Sequence, residues 1–362
     1  MVELADVIRQ YGAAYREEHH GQIPFEHEQV MRDIERCRTE ILGGQVYHCR
    51  ECGETVYSYH SCRNRHCPKC QQEAGQEWLL KQRELLLPVP YFMLTFTLPQ
   101  ELRLLARQHP KTIYDLLFQA SAQATQELAR DQRFVGAQIG LMGVLHTWTR
   151  DLLYHPHVHF LAPGGGLSSD ATEWRRTPNH FFVHVKPLSR LFRAKFRDGL
   201  RKTALFDQVS APVWTQKWVV HCKQVGNGRG ALKYLAPYIF RVAISNRRIL
   251  KLEDDQVTFS YKDSETGKYT THTLPATAFI HRFLQHILPK GFVKVRYYGL
   301  FAAANRHRLR LAQQLLNSTT SPNSDPCPEP DPHVDELLPQ CPKCGRVMQH
   351  VQTLKPRRSR PP

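Results

Sequence analysis

The chain has 362 residues, enough for one large domain and a smaller module. Its 49 Lys and Arg residues exceed its 33 Asp and Glu residues, and the formal net charge of +16 favours a polyanionic partner. A hydrophobic fraction of 41% excludes a wholly disordered chain. The sequence has no run of about 18 apolar residues to span a membrane, and its charged start resembles neither a signal nor a transit peptide. We therefore expect a cytoplasmic protein whose ten cysteines serve as metal ligands or packed thiols.

Hydrophobic spacing predicts two helices over residues 3–42, followed by a cysteine-rich segment over 45–72. Further strands are predicted at 90–98, 138–149, 157–162, 180–186, 217–223, 242–251, 256–262 and 268–274, and further helices at 100–131, 188–206, 276–287 and 300–316. The two strands at 138–149 and 157–162 are expected to form a hairpin. Because strands and helices mix without a regular βαβ rhythm, the sequence predicts an α+β fold.

Two Cys-x-x-Cys pairs, Cys49 with Cys52 and Cys67 with Cys70, are separated by 14 residues. Four thiolates at this spacing can surround a Zn²⁺ ion, and its binding would stabilise a segment with little core. We predict one structural zinc site from these four residues. The nearby side chains of Cys37, His60, Cys62 and His66 leave open a replaced ligand or a second ion.

Arg63, Arg65 and Lys69 lie in the same segment and are predicted to contact DNA, the alternative being a solvated basic face. A third pair, Cys341 with Cys344, stands near the C-terminus, where Cys327 or His350 would complete a site. Two cysteines supply only half of a zinc site, so this pair alone does not predict a bound ion.

The segment from His155 to His159 reads His-Pro-His-Val-His. Side chains alternate between the faces of a strand, so His157 and His159 are expected to share one face and to bind one ion. His155 has the same parity but adjoins Pro156, which marks a strand start or edge. We choose His146, on the predicted hairpin partner, as third ligand and Asp151 as the fallback. The alternative is an ordinary exposed strand face.

Tyr234 and Tyr238 are four residues apart, so a helix would place both hydroxyls on one face. A tyrosine beside a divalent ion can attack a phosphodiester and form a covalent phosphotyrosine. The alternative is an aromatic pair that packs on the sheet. Pro237 would kink such a helix.

The His-x-His and Tyr-x-x-x-Tyr motifs resemble those of the HUH endonucleases, which act in rolling-circle replication and transposition. The segments 61–71, 155–159, 163–167, 243–247 and 288–292 resemble, in order, those of transposases of the insertion-sequence 91 family. The resemblance extends from about residue 20 to 310.

This resemblance implies a ferredoxin-like antiparallel sheet with flanking helices, preceded by a helical, cysteine-rich zinc-binding domain. It implies Mg²⁺ or Mn²⁺ as catalytic cofactor, His157 and His159 as metal ligands, and Tyr234 and Tyr238 as nucleophiles that cut single-stranded DNA at element ends. Thr95 and Thr97 fall in the strand that resembles the family's first motif.

We assign residues 1–80 to the zinc-binding domain, 85–316 to the catalytic domain and 317–362 to a flexible tail. Basic side chains near a late helix are predicted to follow DNA phosphates: Arg296, Arg306, Arg308 and Arg310. Their alternative is a solvated helix face. The alternative functions are a replication initiator or relaxase with the same chemistry, and a non-enzymatic zinc-dependent DNA-binding regulator. The sequence leaves the oligomeric state open.

Overall fold

The computed structural model describes residues 2–71, 82, 85–177, 181–227, 242–318 and 339–357. The helices are α1 (Leu4–Glu18), α2 (Phe25–Arg36), α3 (Arg103–Gln108), α4 (Pro110–Arg130), α5 (Val185–Leu200), α6 (Ala276–Leu284) and α7 (Arg306–Ser318). The strands are β1 (Gly44–His48), β2 (Thr55–Tyr59), β3 (Pro90–Thr97), β4 (Gly140–Trp148), β5 (Tyr154–Pro163), β6 (Gly165–Leu167), β7 (Trp174–Arg176), β8 (Val220–Asn227), β9 (Ile249–Glu253), β10 (Gln256–Lys262), β11 (Tyr269–Pro275), β12 (Val295–Gly299) and β13 (Gln349–Leu354).

The central sheet has five strands in the order β12-β4-β5-β3-β8, and every neighbouring pair is antiparallel. One face of β5 carries Val158 and Phe160, which are buried in the largest hydrophobic core with residues of α4 and α5. Because side chains alternate along a strand, His157 and His159 lie on the opposite face. The predicted antiparallel α+β class is confirmed.

A second hydrophobic core joins distant parts of the chain. Residues of α1 and α2 are buried in it together with residues of β10 and α6. At the edge of this core, the side-chain oxygen of Asn246 accepts a hydrogen bond of 3.1 Å from the backbone N–H of Leu4. The N-terminal helices therefore pack against a segment that follows β8, so this part of the fold is not local in sequence.

A separate small sheet has the strand order β13-β1-β2. β13 is antiparallel to β1, with Gly44 opposite Leu354 and His48 opposite Gln349. The prediction of a flexible tail over 317–362 is therefore wrong for residues 339–357. Backbone hydrogen bonds between β1 and β13 hold this part of the tail in the sheet.

Some local predictions also differ from the structure. The helix predicted over 100–131 is broken at His109, and Pro110 then occupies the first turn of α4, where its missing N–H is tolerated. The strand predicted at 180–186 is wrong, since residues 181–184 have no regular structure and α5 begins at Val185. The edge strand β12 was not predicted.

Candidate metal centres

Three histidines meet on the face of the central sheet that lies opposite the main hydrophobic core. The antiparallel register places His146 of β4 directly opposite His157 of β5, and His159 lies two residues further along β5. A nitrogen from each ring lies within 4.8 Å of the others. The ring centroids are 4.8 Å apart for His157 and His159, and 5.0 Å apart for His146 and His159. This spacing is compact enough for all three imidazoles to bind one ion.

Hydrogen bonds fix the orientation of the two β5 rings. Nδ1 of His157 lies 2.7 Å from the carbonyl oxygen of His155, which can only accept, so Nδ1 carries the proton and Nε2 the lone pair. Nδ1 of His159 lies 2.9 Å from the hydroxyl of Thr95, which stands opposite it on β3. Partners of this kind orient imidazole ligands at metal sites. Thr95 therefore positions a histidine.

His146 is held by packing. Its side chain is buried and stacks on Trp148 with 4.7 Å between ring centroids. Lys294 lies 5.4 Å from the centroid of the Trp148 ring. Burial lowers the pKa of Lys294 to about 7. Neither Trp148 nor Lys294 was among the predicted site residues, because an isolated Trp or Lys carries no spacing signal.

The two neighbouring candidates are not part of this triad, although the ring centroid of His155 lies 5.4 Å from that of His157. Nδ1 of His155 is 2.7 Å from the guanidinium of Arg103, which can only donate, and burial lowers the pKa of His155 to about 4. Asp151, the fallback ligand, accepts a hydrogen bond from the hydroxyl of Thr149. The structure thus brings His146, His157 and His159 together, without His155 or Asp151.

The predicted nucleophiles Tyr234 and Tyr238 lie in the stretch 228–241, outside the described residues. Their assignment stays a prediction.

The predicted zinc quartet is wrong as a set, because its members fall into two clusters. Cys67 and Cys70 group with Cys37 and Cys62, at Sγ–Sγ distances of 3.6 Å for Cys37–Cys70, Cys62–Cys70 and Cys37–Cys67. A disulfide would be much shorter, at about 2.05 Å, whereas tetrahedral thiolates around Zn²⁺ stand roughly 3.8 Å apart. Four thiols with this spacing fit a structural zinc ion.

Cys49 and Cys52 instead group with Cys341 and Cys344. The Sγ–Sγ distance is 3.4 Å for Cys49–Cys344 and 3.5 Å for Cys52–Cys341. Sequence spacing had paired the two N-terminal knuckles with each other, but the chain fold separates them. Of the two residues considered as partners for the C-terminal knuckle, Cys327 lies outside the described residues, and the ring of His350 packs against Tyr47.

Most of the basic residues predicted to contact DNA make contacts within the protein. The guanidinium of Arg65 donates to the carbonyl oxygens of Phe292 and Pro289 at 2.5 and 2.7 Å. Lys69 forms an ion pair of 2.6 Å with Glu3. Arg65 and Lys69 therefore link the cysteine-rich segment to other parts of the fold.

Of the other basic residues predicted to contact DNA, some make contacts within the protein and some are exposed. Arg308 donates to the carbonyl oxygen of Ser168 at 3.3 Å, and Arg296 forms an ion pair with Asp115. Three of the predicted side chains are exposed: Arg63, Arg306 and Arg310. These three have the accessibility that a phosphate contact requires.

The comparisons with known proteins agree with this arrangement. A family model for a transposase zinc-binding domain matches residues 7–98, and one for a putative transposase matches residues 140–308. The chain is 41% identical over 371 residues to a putative transposase, y4qJ, of Sinorhizobium fredii, a match that covers 94% of the chain and 92% of the relative. It is 30% identical over 301 residues to the transposase for insertion sequence element IS801 of Pseudomonas savastanoi pv. phaseolicola, with 75% of the chain and 71% of the relative covered. No solved structure matches the chain significantly.

The chain belongs to the insertion-sequence 91 family of transposases, and it has the zinc-binding N-terminal domain of that family. The family predicted from the sequence is confirmed. In the part of the chain that the structure describes, every helix is too short or too polar to cross a membrane.

Proposed function

We propose that this transposase nicks and rejoins single-stranded DNA at the ends of its element, with a divalent metal ion and a covalent 5′-phosphotyrosine intermediate. The observation that carries the proposal is the histidine triad on a rigid antiparallel sheet, with nitrogens within 4.8 Å of one another. Packing of His146 on Trp148 accounts for one ring, whereas the convergence of three imidazoles on one point is what a bound ion requires.

The donor set indicates which ion would fit. His146, His157 and His159 would hold Mg²⁺ or Mn²⁺, and imidazole nitrogen favours Mn²⁺ of the two. When bound, the ion would polarise a non-bridging oxygen of the scissile phosphate and orient that phosphate. The protein's own contribution is orientation: Thr95 and the carbonyl of His155 keep the two β5 rings in place.

We assign the nucleophile to Tyr234. Its phenolate oxygen would attack the phosphorus, the bond to the upstream 3′ oxygen would break, and that oxygen would leave as a free 3′ hydroxyl. The downstream strand would then carry the 5′-phosphotyrosine, and attack by a 3′ hydroxyl would reverse the step and rejoin the DNA. Tyr238 would serve the second strand in the same way.

One described residue that flanks the tyrosine stretch supports this assignment. Ala243, just after the end of the stretch, belongs to the same hydrophobic core as Trp148, which stacks on His146. Asn227, at the start of the stretch, stands opposite Pro90, at the end of β3 remote from the histidines, so the support comes from the C-terminal side alone.

We further assign recognition of the element ends to the zinc-binding domain and the exposed arginines Arg63, Arg306 and Arg310. The protein would act in the cytoplasm. None of its nine cysteines within the described residues forms a disulfide, which suits a reducing compartment.

The test incubates the purified full chain with single-stranded terminal DNA labelled at its 3′ end, in Mn²⁺ or Mg²⁺, before denaturing electrophoresis. We expect a protein-linked band that survives boiling and disappears in Tyr234→Phe, His146→Ala and His157→Ala. Tyr269→Phe and His155→Gln are matched controls and should keep the band. No linked product from the wild-type protein with either ion, or a persistent one in a Tyr234→Phe/Tyr238→Phe double variant, would refute the proposal.

A further inference from the structure

The cysteine cluster formed by Cys49, Cys52, Cys341 and Cys344 combines residues from the two ends of the chain. The family model of the zinc-binding domain ends at residue 98 and that of the transposase domain at residue 308. Two of the four thiols therefore lie beyond both matched regions. We propose that these four residues bind a second structural zinc ion, which fastens the C-terminal segment 339–357 to the N-terminal module. This proposal does not depend on the proposed catalytic function.

The two halves of the site have the same backbone geometry. In each, the glycine after the second cysteine donates its N–H to the carbonyl of the first cysteine, at 3.0 Å for Gly53–Cys49 and 2.9 Å for Gly345–Cys341. In each, the N–H of the first cysteine donates to the carbonyl five residues later, at 2.9 Å to Glu54 and 2.7 Å to Arg346.

Both glycines adopt a positive φ, 72° for Gly53 and 75° for Gly345, a conformation that other residues rarely adopt. The second knuckle thus repeats the first in sequence and in conformation. Two such knuckles facing each other supply a complete set of four thiolates, whereas each alone supplies half.

The knuckle of the other cluster is built differently. Cys70 is followed by Gln71, whose N–H donates to the carbonyl of Cys67 at 3.2 Å without a glycine turn. The repeated Cys-x-x-Cys-Gly pattern therefore distinguishes the pair that shares this ion. It is also the sequence signal that could have identified the partner of Cys341 and Cys344.

The surrounding structure is too small to hold the segment by packing alone. The buried part of this cluster is Cys49, Cys341 and Met348, so two of its three members are proposed ligands. β13 is almost entirely exposed. Where burial is this limited, the binding of a metal ion is what stabilises the folded arrangement.

The N-terminal module packs closely against the end of the C-terminal strand β13. Gly43 has φ +70°, and a Cβ there would lie 2.4 Å from the carbonyl oxygen of Leu354. Just beyond the strand, Arg357 donates its backbone N–H to Ile41 and forms an ion pair of 2.9 Å with Glu40. The ion would fasten the chain at the start of β13, and these contacts would hold the residues after its end, which include Lys355 and Arg357, beside the zinc-binding domain.

The test measures zinc per chain and cysteine protection on the full-length protein. Elemental analysis after dialysis against metal-free buffer should show one zinc ion fewer in Cys341→Ser/Cys344→Ser than in the wild type. Under native alkylation, followed by peptide mass spectrometry, Cys49 and Cys52 should become reactive in this variant although neither is mutated. Cys37, Cys62, Cys67 and Cys70 should stay protected, which shows that the N-terminal module remains folded.

Two further variants make the result specific. Cys222→Ser alters a thiol outside both clusters and should leave zinc content and protection unchanged. Cys344→His keeps a ligand at the exposed position of the cluster and should retain the ion, since zinc accepts three thiolates and one imidazole. Unchanged zinc content with Cys49 and Cys52 still protected in Cys341→Ser/Cys344→Ser would overturn the proposal, as would rapid alkylation of those two residues in the zinc-loaded wild type.

Discussion

Replacing Arg65 by alanine should destabilise the protein, whereas the same change at Arg63 should not. The guanidinium of Arg65 donates to the carbonyl oxygens of Phe292, Pro289 and Leu288 at 2.5, 2.7 and 3.3 Å. A hydrogen bond to a charged group contributes about 1.5–3 kcal/mol. Because the side chain is only half-buried, water replaces part of each lost bond, so we expect a total loss of about 2–3 kcal/mol in the free energy of unfolding.

Arg63 provides a matched control in the same segment. It is exposed, and surface substitutions usually change stability by less than about 0.5 kcal/mol. Arg63→Ala should therefore unfold like the wild type in a urea titration and should instead weaken DNA binding in a gel-shift assay. Arg65→Lys should recover only part of the loss, because a lysine cannot reach three carbonyls with a fixed fork of donors. Equal stability for Arg65→Ala and the wild type would refute this reasoning.

Three other perturbations test separate parts of the fold. Thr95→Val removes the hydroxyl beside His159 and should weaken Mn²⁺ binding about 10–100-fold in a calorimetric titration; unchanged affinity would contradict its positioning role. Gly143→Ala puts a Cβ 2.5 Å from Phe160 and should destabilise the protein by about 1–3 kcal/mol in urea; a wild-type midpoint would show that the core can yield. Burial lowers the pKa of His286 to about 4 from 6.5, so as the pH falls between these values the unfolded chain takes up a proton that the folded chain does not. This group should reduce stability by about 3 kcal/mol across that window, and His286→Gln should show a correspondingly shallower loss; parallel pH profiles would exclude His286 as a source.

The linkage between the cysteine-rich segment and the central sheet explains one block of sequence that resembles the family. Residues 288–292 supply the carbonyl oxygens that Arg65 contacts, and the backbone N–H of Leu288 lies 3.3 Å from Nε2 of His66. Residues 288–292 contain no cluster of ionisable side chains, and these contacts give a structural reason for their sequence. The zinc-binding domain is oriented on the sheet through them.

Alternation along β5 was sufficient to predict that His157 and His159 share a face, because strand geometry depends only on neighbouring residues. Amphipathic spacing likewise predicted α1 and α2. The choice of His146 needed the hairpin as well, and the register that puts it opposite His157 is a property of the sheet. Tyr234 and Tyr238, outside the described residues, stay predictions from spacing and resemblance.

The local features of this protein could be predicted from its residues: the cysteine knuckles, the histidine strand, the basic charge and the α+β class, with the antiparallel sheet implied by the family resemblance. The tertiary structure alone shows which knuckles lie together, since Cys49 and Cys344 meet across 295 residues of chain. It also decided that Arg65 binds carbonyl oxygens inside the protein and that β13 completes an N-terminal sheet. The physical reason is that periodicity and spacing encode the face and conformation of a segment, whereas the partner that it meets depends on long-range packing of the whole chain.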